Sequence, residues 1–198
     1  MEDLIFHVCE YGVMLVPGLL CLWAVRRRRH SRGTLAWQLL LLLYGAMVLD
    51  VTGSGTLADL LRSGGRLDWQ SLHWLPFSEP IDPVGYGLNV LLCMPWGFLA
   101  ARLDRRFHGL AMAALGGFGL SLAIELSQLC NFRSTDVDDL IINTMGAVLG
   151  YFCYRCWQKM THTQPATDGC PAALMAALFA GRFLLWNGVA VAARIYGF

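Results

Sequence analysis

Three long stretches without a charged side chain decide what this chain can fold into. Residues 35–49 (LAWQLLLLLYGAMVL), 83–101 (PVGYGLNVLLCMPWGFLAA) and 140–154 (LIINTMGAVLGYFCY) contain no Asp, Glu, Lys or Arg. The hydrocarbon layer of a bilayer is about 30 Å thick and takes about 20 helical residues to cross. Of 198 residues, 56% are hydrophobic and only 15% charged, against about 25% charged in an ordinary soluble domain. One soluble core of this size cannot hide so much apolar surface. The composition excludes a secreted disulfide mini-protein, a disordered chain and a basic nucleic-acid binder. It implies membrane lipids as partners.

The pattern predicts an all-α, polytopic transmembrane bundle of five or six helices. Five are expected at about 4–25, 35–52, 84–101, 109–129 and 138–157. A sixth, at about 172–194, carries Arg182 near its middle, where a charge costs about 2.5–3.5 kcal/mol on insertion scales. Arg182 then needs a partner inside the bundle, or the segment lies along the membrane surface. Three regions follow: 1–35 (first span and basic loop), 36–157 (the main membrane domain) and 158–198 (a linker and the sixth segment).

Lysines and arginines in short loops set orientation. Arg26, Arg27, Arg28, Arg29 and Arg32 follow the first helix, Arg102, Arg105 and Arg106 the third, and Arg155 and Lys159 the fifth. These ten of fifteen cations lie on alternate loops and mark the cytoplasmic side. Twelve of the fourteen acids fall in the opposite half, the exceptions being Asp104 and Asp168. The N-terminus is therefore expected outside, and its acidic start argues against a cleaved signal peptide. A net charge of +1 conceals a polarised molecule with an electronegative outer face.

Seven cysteines suggest no disulfide framework. Cys153 and Cys156 have a redox-like spacing but lie at a helix end with no second pair. Cys9 and Cys130 are both expected near the outer face, which leaves a disulfide between them open. No metal or cofactor site is expected.

The information is concentrated in two places. The external loop 53–82 is broken by glycines, has a short helical turn at 57–61, and carries Trp69, Trp74 and Phe77 at headgroup depth. It reads as an interfacial anchor or as a lid over an external pocket. The second place is a hairpin of two polar helix ends. Glu125 and Gln128 share one helix face, as do Asp136, Asp139 and Asn143 on the next helix. Arg133 lies in the turn between them, and Asn89 lies near the outer end of the third helix. Gly146 and Gly150 form a small-residue stripe for close helix packing, and Pro95 and Gly97 interrupt the third helix. Intramembrane polar groups must pair or face water. Two roles therefore stay open for the cluster: a network locking two helices, with Arg133 bridging the acids, or an outward-open binding pocket.

Taken together, LPFSEPIDPVGYGLNVLLCMPWGFL (75–99) and AIELSQLCNFRSTDVDDLIINTMGAVLGY (123–151) resemble the VanZ-like family of bacterial membrane proteins. The resemblance covers about 36–157 and rests on Pro76, Phe77, Asn89, Pro95, Gly97, Glu125, Gln128, Arg133, Asp136, Asp139, Asn143, Gly146 and Gly150. Trp96 and the long 53–72 loop depart from the family's pattern. The resemblance implies a multi-pass protein of the bacterial plasma membrane. It also implies an association with resistance to the glycopeptide antibiotic teicoplanin.

Three function classes fit. One is an envelope protein binding a lipid, cell-wall precursor or lipoglycopeptide, with aromatics taking the tail and acids and amides the polar part. Another is an enzyme using the carboxylates as acid, base or cation ligands on a lipid-linked or cell-wall substrate. The third is a small ion or proton-coupled transporter. No nucleophile stands beside a base and no histidine pair has ligand spacing, so no catalytic residue is assigned and binding is preferred. Oligomeric state is not legible in the sequence.

Overall fold

A computed structural model of the chain describes residues 2–28, 34–69, 72–78, 80, 82–133, 135–164, 166 and 169–197. Arg29, Arg32, Glu79 and Asp168, used above to set orientation, lie outside the described residues, as does the side chain of Arg28. The elements are α1 (Glu2–Arg28), α2 (Leu35–Val51), α3 (Leu57–Arg62), β1 (Leu72–His73), α4 (Pro83–Leu103), α5 (Leu110–Gln128), β2 (Thr135–Asp136), α6 (Val137–Thr161), α7 (Pro171–Leu185) and α8 (Gly188–Tyr196). A short 3-10 turn, Arg105–His108, joins α4 to α5.

The helix starts follow from local chemistry. Asp82 caps α4, its side chain accepting the Val84 N–H, with Pro83 in the first turn where a missing amide costs nothing. Asp136 caps α6 in the same way through the Asp138 N–H. Thr56 and Asp59 form a reciprocal capping box on α3, which explains how so short a helix holds within the 53–82 loop.

Apolar length is distributed less evenly than the sequence pattern implies. Among the described residues, three helices are long and apolar enough to cross a bilayer: Glu2–Arg27, Pro83–Leu103 and Leu110–Gln128. The expected sixth helix is not continuous. It breaks after Leu185 into α7 and α8, bent by 58°, and this pair makes a fourth span if taken as one. The break has a local cause: Trp186 is extended and the Asn187 side chain accepts the Ala190 N–H, starting a new helix. At 17 residues, α2 is a turn short of a full crossing. The 25 residues of α6 are long enough, but acids in its first turn and Lys159 in its last dilute their apolar character.

The core of the fold is the α4–α5–α6 unit. Here α6 runs parallel to α4, from the Asn89–Asp139 hydrogen bond at one end to the Phe98–Trp157 ring contact at the other, and α5 packs against α6. The α4–α6 seam is close because it lacks side chains. A Cβ at Gly97 would stand 1.8 Å from the Ala147 carbonyl oxygen, one at Gly150 1.8 Å from that of Met94, and one at Gly146 2.5 Å from that of Val90. Pro95 leaves the Leu91 carbonyl without an amide partner. In the same turn the Tyr44 hydroxyl of α2 donates to the Leu92 carbonyl at 2.7 Å.

Around this unit, α7 packs against α1 and α2. Arg182 and Glu10, both buried, form an ion pair, so the intrabundle partner that Arg182 needs is Glu10. Most of the described cations gather at one end of the molecule: Arg26 reaches Gln38, Arg102 lies against Trp37 and Trp157, and Arg155 donates to Tyr151. Most of the described acids gather at the other, where Tyr11 donates to Asp50 and Tyr196 donates to Asp3. Cys9 is exposed and Cys130 buried, and both are free thiols, so no disulfide joins them.

Candidate functional site

At the acidic end the hairpin α5–β2–α6 folds its polar residues toward α4, and one strand of the long loop lies over it. β1 and β2 pair in parallel, with Leu72 opposite Thr135 and His73 opposite Asp136. His73 Nδ1 is 3.9 Å from the Asp136 carboxylate. The loop thus touches the acids directly at the residue that caps α6.

Each acid has a distinct setting. Glu125 is 3% exposed and its Oε2 accepts the Asp136 N–H at 3.1 Å. One Asp139 oxygen accepts from Asn89 Nδ2 at 2.6 Å, and the residue is only partly buried. Asp136 is likewise partly buried, with one oxygen spent on its cap. Asp138 is 2% exposed and takes two donors, the Phe77 N–H at 2.7 Å and the Tyr86 hydroxyl. One turn deeper, Asn143 Nδ2 donates to Ser121 Oγ at 3.0 Å, and Ser121 lies 3.4 Å from the Asp139 carbonyl. The Asn143 oxygen is buried without a partner.

The seven polar residues picked from the sequence therefore separate into two groups. Glu125, Asp136, Asp139, Asn143 and Asn89 meet between α4, α5 and α6. Gln128 and Arg133 turn instead toward the end of α2. Gln128 Nε2 donates to the Thr52 carbonyl at 2.8 Å, and the Arg133 guanidinium lies against Gly53, whose φ is +60°. Asn131 joins them by donating to the Gly53 carbonyl at 2.9 Å. These three side chains hold the start of the long loop against the hairpin.

Sequence reasoning missed Asp138, Tyr86 and Ser121. Tyr86 had a signal, since it stands three residues before Asn89 and shares its face. Asp138 is one residue off the Asp136–Asp139 face, but first-turn side chains of a helix fan outward, and this one reaches α4. The aromatic residues Trp69, Trp74 and Phe77 are 57%, 69% and 51% exposed, beside the strand that covers the acids.

A second polar group lies between α1 and α2. His7, Glu10 and Asp50 bring ligand atoms within 4.8 Å of one another, but the Arg182 guanidinium already neutralises Glu10.

The VanZ/LLP1 family model matches residues 39–158, more than half of the chain. The chain belongs to the VanZ/LLP1 family. No curated protein and no solved structure matches it. The VanZ/LLP1 region runs from within α2 to near the end of α6 and contains the glycine seam, the acid cluster and the strand pair over it. Outside it lie α1, α7 and α8, including both members of the Glu10–Arg182 pair. With its apolar helices, the chain is a multi-pass membrane protein of this family.

Proposed function

We propose that this VanZ/LLP1 protein is a non-catalytic envelope protein of the bacterial plasma membrane. Its acidic end faces outward and receives the polar part of an amphiphile, a lipid, a cell-wall precursor or a teicoplanin-type lipoglycopeptide. The membrane domain is 36–157, and 1–35 and 158–198 flank it. The observation that carries this reading is the strand pair. It fastens His73 beside Asp136 while leaving Trp74 and Phe77 exposed next to it. Carboxylates accept from ammonium or hydroxyl groups, and exposed aromatics at headgroup depth accept an apolar tail. The binding acids are Asp136 and Asp139, backed by Glu125, with Asn89 and Asn143 orienting them. Gln128 and Arg133 fix the loop, and Gly97, Gly146, Gly150 and Pro95 set the frame.

One observation divides the labour within the cluster. Asp138 is buried with both oxygens engaged, so it locks α6 to α4 and to the loop. The partly buried Asp136 and Asp139 are left to meet a ligand.

The test is glycopeptide tolerance of cells carrying Glu125→Gln or Asp139→Asn, read beside membrane abundance. The binding role requires normal abundance with loss of any tolerance the parent confers. Disappearance of these variants from the membrane makes the cluster architectural.

A further inference from the structure

On the flank away from α5, α2 and α6 lie on either side of α4 and leave a groove of about 590 Å³ over its Pro95–Leu99 turn. Trp37, Leu40, Leu43 and Met47 of α2, Phe98 of α4 and Cys153 of α6 line it. The helix rises about 15 Å from Trp37 to Met47 at 1.5 Å per residue, which is one half of a hydrocarbon layer about 30 Å thick. The groove is one leaflet deep and starts at the basic end of the molecule.

That end is an aromatic collar under a buried cation. Trp37 meets Phe98 with ring centroids 6.0 Å apart and Trp157 at 5.7 Å. The Arg102 guanidinium lies 5.5 Å from the Trp37 centroid and 5.9 Å from that of Trp157. Arg102 is 9% exposed. Its Nη1 reaches the Gln164 carbonyl at 3.4 Å, while its Nε is buried without a partner. Among the described residues no carboxylate pairs with it. Asp104, the acid at this end among them, is occupied capping the Arg106 N–H. Arg26, bonded to Gln38 beside Trp37 at 3.4 Å, adds a second positive charge. A buried charge needs a counter-charge, and basic side chains at a membrane surface draw anionic lipids.

We propose that this groove is a binding site for an anionic phospholipid, one acyl chain lying along α2 from Trp37 to Met47 and the phosphate lying beside Arg102 and Arg26. The site is separate from the acid cluster and lies at the opposite end of the fold.

The test uses the full chain exchanged into vesicles of equal phosphatidylglycerol and phosphatidylcholine, then native mass spectrometry of the lipid retained. The parent is expected to keep phosphatidylglycerol over phosphatidylcholine by about fivefold, the size of one arginine–headgroup attraction. Cys153→Trp, which fills the groove, should lose the retained lipid, and Arg102→Gln should keep lipid without preference. Equal retention of the two lipids by the parent, or undiminished retention by Cys153→Trp, overturns the proposal. A second measurement does not depend on these variants folding. With Cys153 as the sole cysteine, its alkylation by a maleimide should be slower in phosphatidylglycerol vesicles than in phosphatidylcholine vesicles. Equal rates overturn the site.

Discussion

Asn89 and Asp139 meet at 2.6 Å, joining the second turn of α4 to the first turn of α6, two parallel helices whose later turns meet through glycine. Above this bond lies the acid cluster, and below it the close α4–α6 seam. Replacing Asn89 by Leu leaves a partly buried carboxylate without its donor, which costs about 1–3 kcal/mol. Replacing Asp139 by Asn keeps an oxygen for the bond. Unfolding measured in mixed micelles should therefore show Asn89→Leu well below the parent and Asp139→Asn close to it.

The seam tolerates even less. A methyl at Gly150 or Gly97 meets backbone, the Met94 and Ala147 carbonyls respectively, at 1.8 Å, and backbone cannot swing aside as a side-chain tip can. Gly150→Ala or Gly97→Ala should destabilise by at least the 1–3 kcal/mol usual for overpacking, about the same order for both. Gly87, with open space around it, is the control: Gly87→Ala should leave the unfolding midpoint near that of the parent. Equal behaviour of all three variants would contradict the packing described.

The Glu10–Arg182 pair is buried on both sides. Removing one partner strands a charge, so Glu10→Leu or Arg182→Leu alone should cost about 3–5 kcal/mol. The double variant Glu10→Leu with Arg182→Leu removes both charges and should recover most of that loss. Additive losses in a double-mutant cycle would show that the two do not act as a pair.

A pH dependence is built into the turn between α4 and α5. Burial lowers the affinity of His108 for a proton, helped by Arg155 and Arg105, while its bond to the Ala101 carbonyl and Asp104 act in the opposite direction. A histidine held below its unfolded value of 6.5 binds fewer protons folded than unfolded. Its contribution is complete above that value and is lost as pH falls through it toward the lower folded value. The unfolding midpoint should therefore drop on acidification below about pH 6.5, and His108→Gln should flatten the drop. A midpoint that rises on acidification in the parent alone would reverse the sign.

Much of the helical frame was legible because apolar runs and capping residues act locally. Pro83 with Asp82, and Asp136 before Val137, fix where α4 and α6 begin regardless of what packs on them. The break at Trp186–Asn187 does carry a local turn signal, the Asn187–Gly188 dipeptide, but the apolar residues on either side of it read as one continuous segment. Glu125 and Gln128 share a face by spacing, yet end on different partners, the Asp136 amide and the Thr52 carbonyl. Which partner each takes depends on where the loop after α2 comes to rest, a long-range fact that no local spacing carries. The β1–β2 pairing joins residues more than sixty apart in the chain, and two-residue strands leave no alternation to read.

Binding of an amphiphile's polar part by the acid cluster is measured by equilibrium titration of a fluorescent teicoplanin-type lipoglycopeptide, and of a lipid-linked cell-wall precursor, against the full chain in nanodiscs. The parent should bind at least one of them saturably. Asp139→Asn should bind about tenfold or more weaker, equivalent to about 1.4 kcal/mol, with an unchanged unfolding midpoint. Equal affinities for parent and variant, or binding of neither ligand by the parent, would contradict a binding role for the cluster.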